Sequence, residues 1–310
     1  MPASADGGGA RSAPRRIALF VEEGGGDWHA RRLGRALETR GAVVFVTSLD
    51  RCAFDTGMPS GLDIPGLAGT LPDGAFVRSV SAGSLEQITL RLGILHALEA
   101  SGVRVWNNAR AIERCVDKST ATWRFQRAGL PTPATRTVEG HDAAEAHRQG
   151  RGTLVLKPLF GSQGNGVRRV GESDDLPPPE DVGNVYYLQE YLRGPTDATF
   201  EDWRVFVSRG RILSAMVRRG KSWITNVHQG AEPRCHDPDE EMCSLALKAA
   251  QAVGADYAGV DLIRDAGGRL LVLEINSNPA WKGLQSVSTI DIADTLSADF
   301  LADVEDSLVR

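Results

Sequence analysis

Short apolar runs alternate with amphipathic stretches along the first third of the chain. Residues 17–21 (Ile-Ala-Leu-Phe-Val) are a continuous apolar run of the kind buried on both faces in a parallel sheet. Trp28 to Arg40 then carries a helical period closed by Gly41, and residues 43–47 resume an extended, β-branched run. A third strand is predicted over 75–78, and a helix over 84–99 with Ile88, Leu92, Leu95 and Leu98 on one face. A fourth strand follows over 103–106. Strands and helices in this order predict a small open α/β sheet that ends near Asn107.

The pattern then changes. Residues 112–125 predict one helix, broken by the Gly and Pro residues of 129–133, then a strand over 134–138 and a helix over 141–149. Thr153 to Leu156 and Val167 to Val170 are extended in character. The intervening Gly161, Gly164 and Gly166 therefore predict a turn between antiparallel strands. A proline-rich loop over 176–180 leads to an apolar strand over 186–192, and residues 193–198 bend the chain. Beyond them, 203–207 and 212–219 alternate around Arg209 and Gly210, predicting a hairpin. A helix over 239–253, a hairpin over 257–274 and a helix over 292–308 follow. A chain of 310 residues exceeds one ordinary core. The predicted organisation is a disordered tail (1–16), an open-sheet α/β domain (17–107), a central unit with the glycine turn (108–190) and a final unit (191–310).

Composition narrows the function more by exclusion than by direction. A net charge of −5 argues against a nucleic-acid or anionic-membrane surface as the main partner, so an anionic ligand needs its own basic pocket. The four cysteines show neither a CxxC pair nor zinc-finger spacing, and no apolar run is long enough for a membrane helix. A cytoplasmic protein with reduced thiols is expected.

Candidate chemistry concentrates at two places. Lys157 stands at the end of a predicted strand, directly before the glycine turn, where backbone N–H groups and an ammonium can close on one anion. A phosphate-binding loop of the Lys-Ser/Thr type and a dinucleotide fingerprint both need a helix after their glycines, and a strand follows here. The second place is the last hairpin. If Gly267 and Gly268 form a two-residue turn, Asp261 falls opposite Glu274, with Asn276 on the same face. Few, hard oxygen ligands of this kind suit Mg2+ shared with substrate phosphates.

Taken together, several stretches resemble the ATP-grasp superfamily and, within it, the RimK-like α-L-glutamate ligases. They are Asn107 to Glu113 leading to Asp117 and Lys118, then 129–133, Lys157 to Gly166, Gln189 and Glu190, Asp202 to Arg204, and Glu274 to Asn276. The resemblance implies three α/β domains, the first an open-sheet pre-ATP-grasp domain, with ATP between the other two. Lys118 and Lys157 then resemble the phosphate-binding lysines, and Gly161, Ser162, Gln163, Gly164 and Gly166 the flap. Glu190, Tyr191 and Leu192 resemble the adenine-reading hinge, and Asp202 and Asn226 further ATP contacts. Asp261, Glu274 and Asn276 match the Mg2+ ligands, Mn2+ being an acceptable replacement. Arg204 and Arg218 match arginines beside the transferred phosphoryl group.

The implied reaction activates a carboxylate with ATP and lets an amine displace phosphate. The loop from Ser277 to Gln285 resembles that of the tetrahydromethanopterin-type coenzyme ligases, pointing to L-glutamate and a small carboxylate-bearing pterin as partners. Alternatives are a ribosomal-protein or carrier-protein tail as acceptor and, in a different class, a non-catalytic ATP-binding module. Trp281 in that loop reads equally as a stacking platform or as packing. Homo-oligomerisation is left open.

Overall fold

The computed structural model describes residues 13–22, 24, 27–161, 164–192 and 200–309. The first sheet is built from β1 (Arg16–Phe20), α1 (Trp28–Thr39), β2 (Val43–Thr47), a small hairpin of β3 (Ala53–Phe54) and β4 (Leu62–Asp63), β5 (Gly74–Val77), α2 (Leu85–Ala100) and β6 (Arg104–Trp106). Its strands are parallel in the order β2-β1-β5-β6, as the alternation of apolar runs and helices predicts. The strand begins earlier than expected. Arg16 belongs to β1, and the Arg15 guanidinium donates to both carboxylate oxygens of Glu305 at 2.5 and 2.7 Å, so residues 13–16 are part of the fold and not of a tail.

Next come α3 (Ala109–Val116) and α4 (Lys118–Arg127), where a single helix over 112–125 was predicted. Asp117 divides them because its carboxylate accepts the N–H groups of Ser119 and Thr120, satisfying the open end of a new helix. The second sheet contains β7 (Thr135–Glu139), α5 (His141–Arg148), β8 (Leu154–Lys157), β9 (Arg168–Val170) and β10 (Val185–Glu190), ordered β7-β10-β8-β9 and antiparallel.

The third sheet runs β13-β12-β11-β14-β15 and is antiparallel throughout. Its members are β11 (Phe200–Ser208), β12 (Arg211–Gly220), β13 (Glu232–His236), α6 (Glu240–Val253), β14 (Tyr257–Arg264) and β15 (Leu270–Asn276), followed by α7 (Lys282–Gln285) and α8 (Ile292–Leu308). β13 is missed by pattern reading because it is polar. It lies at the sheet edge, where Pro233 is tolerated.

Strand periodicity divides the third sheet's faces. Val205 and Val207 pack with Ala258, Val260 and Leu262 against α4 and α6, while Phe206, Met216 and Tyr257 pack towards the first sheet. The first sheet completes this second core with Ile17, Leu19 and Phe76, and α8 adds Leu296, Phe300 and Val304. So α8, which follows the third sheet in sequence, covers the first. Asn107 ties the two sheets directly: its amide donates to the carbonyls of Tyr257 and Ser277 and accepts from the N–H groups of Asp256 and Tyr257. No helix among the described residues is long and apolar enough to cross a membrane.

Candidate active site

Register across the third sheet assembles a row of charged side chains. Asp202 on β11 lies opposite Arg218 on β12, Arg204 opposite Asp261 on β14, and Asp261 opposite Glu274 on β15. The pairing of Asp261 with Glu274 is as expected, but its cause differs. The β14–β15 turn is longer than two residues, with Arg264 opposite Leu270 and Asp265 accepting the N–H of Gly268. A bulge at Leu273 then restores the pairing. It also reverses which residues face the core: Leu270 and Val272 point to the core before it and Ile275 after it, leaving Glu274 and Asn276 on the site face.

All four members of the Asp202–Arg218–Asp261–Arg204 row are at least nine-tenths buried. Arg204 makes two parallel bonds of 2.7 Å to the Asp261 carboxylate, and Arg218 reaches the same group at 2.9 Å. Arg218 also grips both oxygens of Asp202, one of them at 2.6 Å. Burial alone would raise the Asp261 carboxyl, yet the two guanidiniums outweigh it and hold this group well below the usual carboxylate range. Burial pushes Asp202 upward, since it shares Arg218 with Asp261.

Glu274 is different. Among the described residues it makes no ion pair within reach, and its neighbour Asn276 donates to it at 3.3 Å. Among the same residues, no group of three or more His, Cys, Asp or Glu is placed to hold a metal. The oxygen set expected from the sequence is two carboxylates and an amide, and of the two carboxylates Glu274 is the one without an ion pair among the described residues. That set fits a hard cation whose remaining positions are filled by phosphate oxygens.

Most of the residues expected to meet a nucleotide converge between the second and third sheets. A cavity of about 360 Å³ is lined by Lys118, Lys157, Glu190, Asp202 and Glu274 together with apolar Val155, Leu192 and Leu273. Lys157 is buried and donates to Gln189 at 2.7 Å. Burial pushes its ammonium below the ordinary lysine range, against the field of Glu274. Lys118 is shifted the same way for the same reason, and it donates to the Gly161 carbonyl at 2.9 Å, tying α4 to the glycine turn. Gly164 sits at φ +72°, a left-handed conformation that favours glycine, and an added Cβ would lie 2.8 Å from the Gln229 side-chain amide, which would have to move aside. Ser162 and Gln163 lie outside the described residues. In the hinge, the N–H groups of Glu190 and Tyr191 already donate to Ala134 and Thr153.

A second, larger cavity of about 1010 Å³ lies between the third and first sheets. Arg218, Asn226 and Glu274 line both cavities, while Arg204 and Asn276 face the larger one. Trp281 is not a stacking platform. It is fully buried against His29 and Phe206, with ring centroids at 4.7 and 6.1 Å.

Comparison with known proteins agrees with this geometry. The RimK-like ATP-grasp domain pattern matches residues 116–300. The chain belongs to the RimK-like ATP-grasp family. With the family comes its reaction class, ADP-forming ligation of carbon–nitrogen bonds. The tetrahydromethanopterin:α-L-glutamate ligase of Methanosarcina acetivorans is 33% identical over 297 residues, covering 83% of this chain and 90% of that protein. The ligase of the same name from Methanococcus maripaludis is 35% identical over 72% of this chain and 76% of its own length. Among solved structures, the ATP-grasp ligase PsnB complexed with a minimal precursor, Mg and ADP superposes with a TM-score of 0.70 at 21% identity, covering 94% of this chain and 98% of that one. At that identity the likeness speaks for the fold.

Two contributors escaped the sequence reading. Arg78, at the end of β5, lines the larger cavity, and its only signal was a charge directly after a buried apolar run. Asn107 was noticed as part of a motif, without its role in joining two sheets.

Proposed function

We propose that the protein joins L-glutamate to a carboxylate-bearing small molecule of the pterin type, using ATP and an acyl-phosphate intermediate. One observation carries this reading: the two cavities meet at Arg218, Asn226 and Glu274, so the phosphate end of a nucleotide in one faces co-substrates in the other. The larger cavity, about 1010 Å³, has room for an acceptor and an amino acid together. The relatives from Methanosarcina acetivorans and Methanococcus maripaludis, both named tetrahydromethanopterin:α-L-glutamate ligases, support the choice of co-substrates.

In this mechanism the acceptor's carboxylate oxygen attacks the γ-phosphorus, the bond to the bridging oxygen breaks, and ADP leaves. Lys118 and Lys157 hold the phosphates, and Arg204 and Arg218 stand where charge spreads over the transferred oxygens. Asp261, Glu274 and Asn276 would hold Mg2+, which neutralises the phosphate charge. The closed glycine turn keeps water from the acyl phosphate. The glutamate amine then attacks the acyl carbon, and the departing phosphate takes up its proton.

The test incubates the protein with ATP, Mg2+, L-glutamate and tetrahydromethanopterin, and looks by mass spectrometry for a product one glutamyl residue heavier. Hydroxylamine in place of glutamate should trap the acyl phosphate as a hydroxamate. Neither product, alongside glutamylation of a protein tail, would overturn the acceptor assignment. Nucleotide binding with no turnover on any carboxylate would point to a binding module.

A further inference from the structure

The larger cavity opens on the first sheet where the strand order reverses. The chain leaves β1 for β2 on one side and returns to β5 on the other, so the carboxyl ends of β1 and β5 border a crevice. Open parallel sheets bind ligands at such points. Glu22 and Gly24 after β1, and Arg78 and Ser79 after β5, line the cavity there.

Among the described residues of this crevice, Arg78 carries a buried polar atom without a hydrogen-bond partner. It is 8% exposed. It donates one N–H to the Asn278 carbonyl at 3.2 Å and another to Asp27 at 3.3 Å, with its guanidinium 5.3 Å from the centre of the Trp281 ring. Its Nε is buried without a hydrogen-bond partner among the described residues. Asp27 is shared, since it also accepts the N–H of Ala30 at 2.6 Å and pairs with His29 Nδ1 at 2.9 Å, and its contact with Arg78 is the longest of the three. The setting is rigid. His29 Nε2 accepts the N–H groups of Trp281 and Lys282 at 3.1 and 3.2 Å, fixing the loop on which Arg78 rests.

A guanidinium that lines the cavity, has only two of its five N–H groups bonded among the described residues and makes only a long, shared carboxylate contact is suited to a second oxyanion. We propose that Arg78 anchors a carboxylate of one co-substrate, so that the first sheet selects what enters the larger cavity. The inference rests on the ligase reading and deepens it. The carboxylate comes either from the incoming amino acid or from an acidic arm of the pterin.

Equilibrium binding to the ATP-analogue-loaded protein decides the matter, with L-glutamate, tetrahydromethanopterin and citrate as separate probes. Arg78→Met, which keeps the side chain's bulk over Trp281, should weaken glutamate or pterin binding about tenfold or more, and Arg78→Lys should recover part of the loss. ATP affinity and thermal midpoint, read on the same samples, should match the parent protein, since Arg78 does not line the nucleotide cavity. Loss confined to glutamate assigns its carboxylate, and loss confined to the pterin assigns the acceptor's. Loss of citrate binding alone, with glutamate and pterin affinities unchanged, overturns the inference. Equal affinities in the parent and Arg78→Met, or no binding of any probe to the parent, overturn the inference. Should Arg78→Met not fold, Arg78→Lys makes the same comparison.

Discussion

Replacing Asp202 by Asn removes one charge from a buried row that is otherwise balanced, two guanidiniums against two carboxylates. Arg218 is 2% exposed and cannot turn to water for compensation. It retains Asp261 at 2.9 Å, but Asp261 is already bound by Arg204 through both oxygens. Removing one partner of a buried pair costs about 3–5 kcal/mol, and the surviving contact places Asp202→Asn near the lower end, at about 3 kcal/mol. Urea unfolding monitored by tryptophan fluorescence measures this, with the slope checked so that a change of midpoint reports stability. The double variant Asp202→Asn with Arg218→Met restores charge balance and should recover part of the loss. Destabilisation below about 1 kcal/mol, or a double variant no more stable than the single, would refute the account of the row as a coupled charge balance.

Lys157→Met should weaken ATP binding about tenfold or more, as expected for losing a charge-assisted phosphate contact of about 1.5–3 kcal/mol; unchanged affinity by calorimetry would remove Lys157 from the phosphates. Glu274→Gln should leave the fold intact and shift the Mg2+ titration of nucleotide binding to higher concentration, whereas a superimposable titration would place the metal elsewhere. Asp256 supplies a pH prediction. Burial raises its carboxyl to about 6 despite Arg104, with Asp303 and Glu99 adding to the rise. Its folded-state value thus exceeds the unfolded 3.8, so the native state binds the extra proton between the two. Stability should therefore fall as pH rises through about 6, by on the order of 3 kcal/mol for this group alone. Unfolding free energies at pH 5 and 7 should differ by about 1.3 kcal/mol in the parent, the rest of the loss falling below pH 5, and that difference should disappear in Asp256→Asn.

The fold class was legible because it depends on periods. Continuous apolar runs separated by helices specify a parallel sheet, and two extended stretches, 203–207 and 212–219, around a tight Arg209–Gly210 turn specify an antiparallel one. Turn chemistry was less legible. Arg209 and Gly210 do form a two-residue turn, both with positive φ, whereas Gly267 and Gly268 belong to a longer loop held by Asp265. The Asp261–Glu274 pairing was reached only because a bulge at Leu273 offsets the loop's extra length, which no local pattern announces. The split at Asp117 was readable in principle, since an Asp followed by Ser and Thr is a helix start. The Arg204–Asp261 and Arg218–Asp202 bonds were not, because they join residues 57 and 16 apart through sheet register. Trp281 could be placed only once its surroundings on α1 and β11 were known.

The position of α8 has a consequence for how the chain acquires its structure. One face of the first sheet is closed by Leu296, Phe300 and Val304, residues made 190 or more positions after the strands they cover. Arg104 and Trp106 on β6 both bind Asp303 of the same helix, at 2.6 Å each. During synthesis the first sheet therefore emerges with this face covered only in part, by Leu33 and Leu37 of α1, and its completion must wait for almost the whole of the remaining chain. Ribosome-bound intermediates should show the second sheet acquiring protection before the first, an order opposite to that of the sequence.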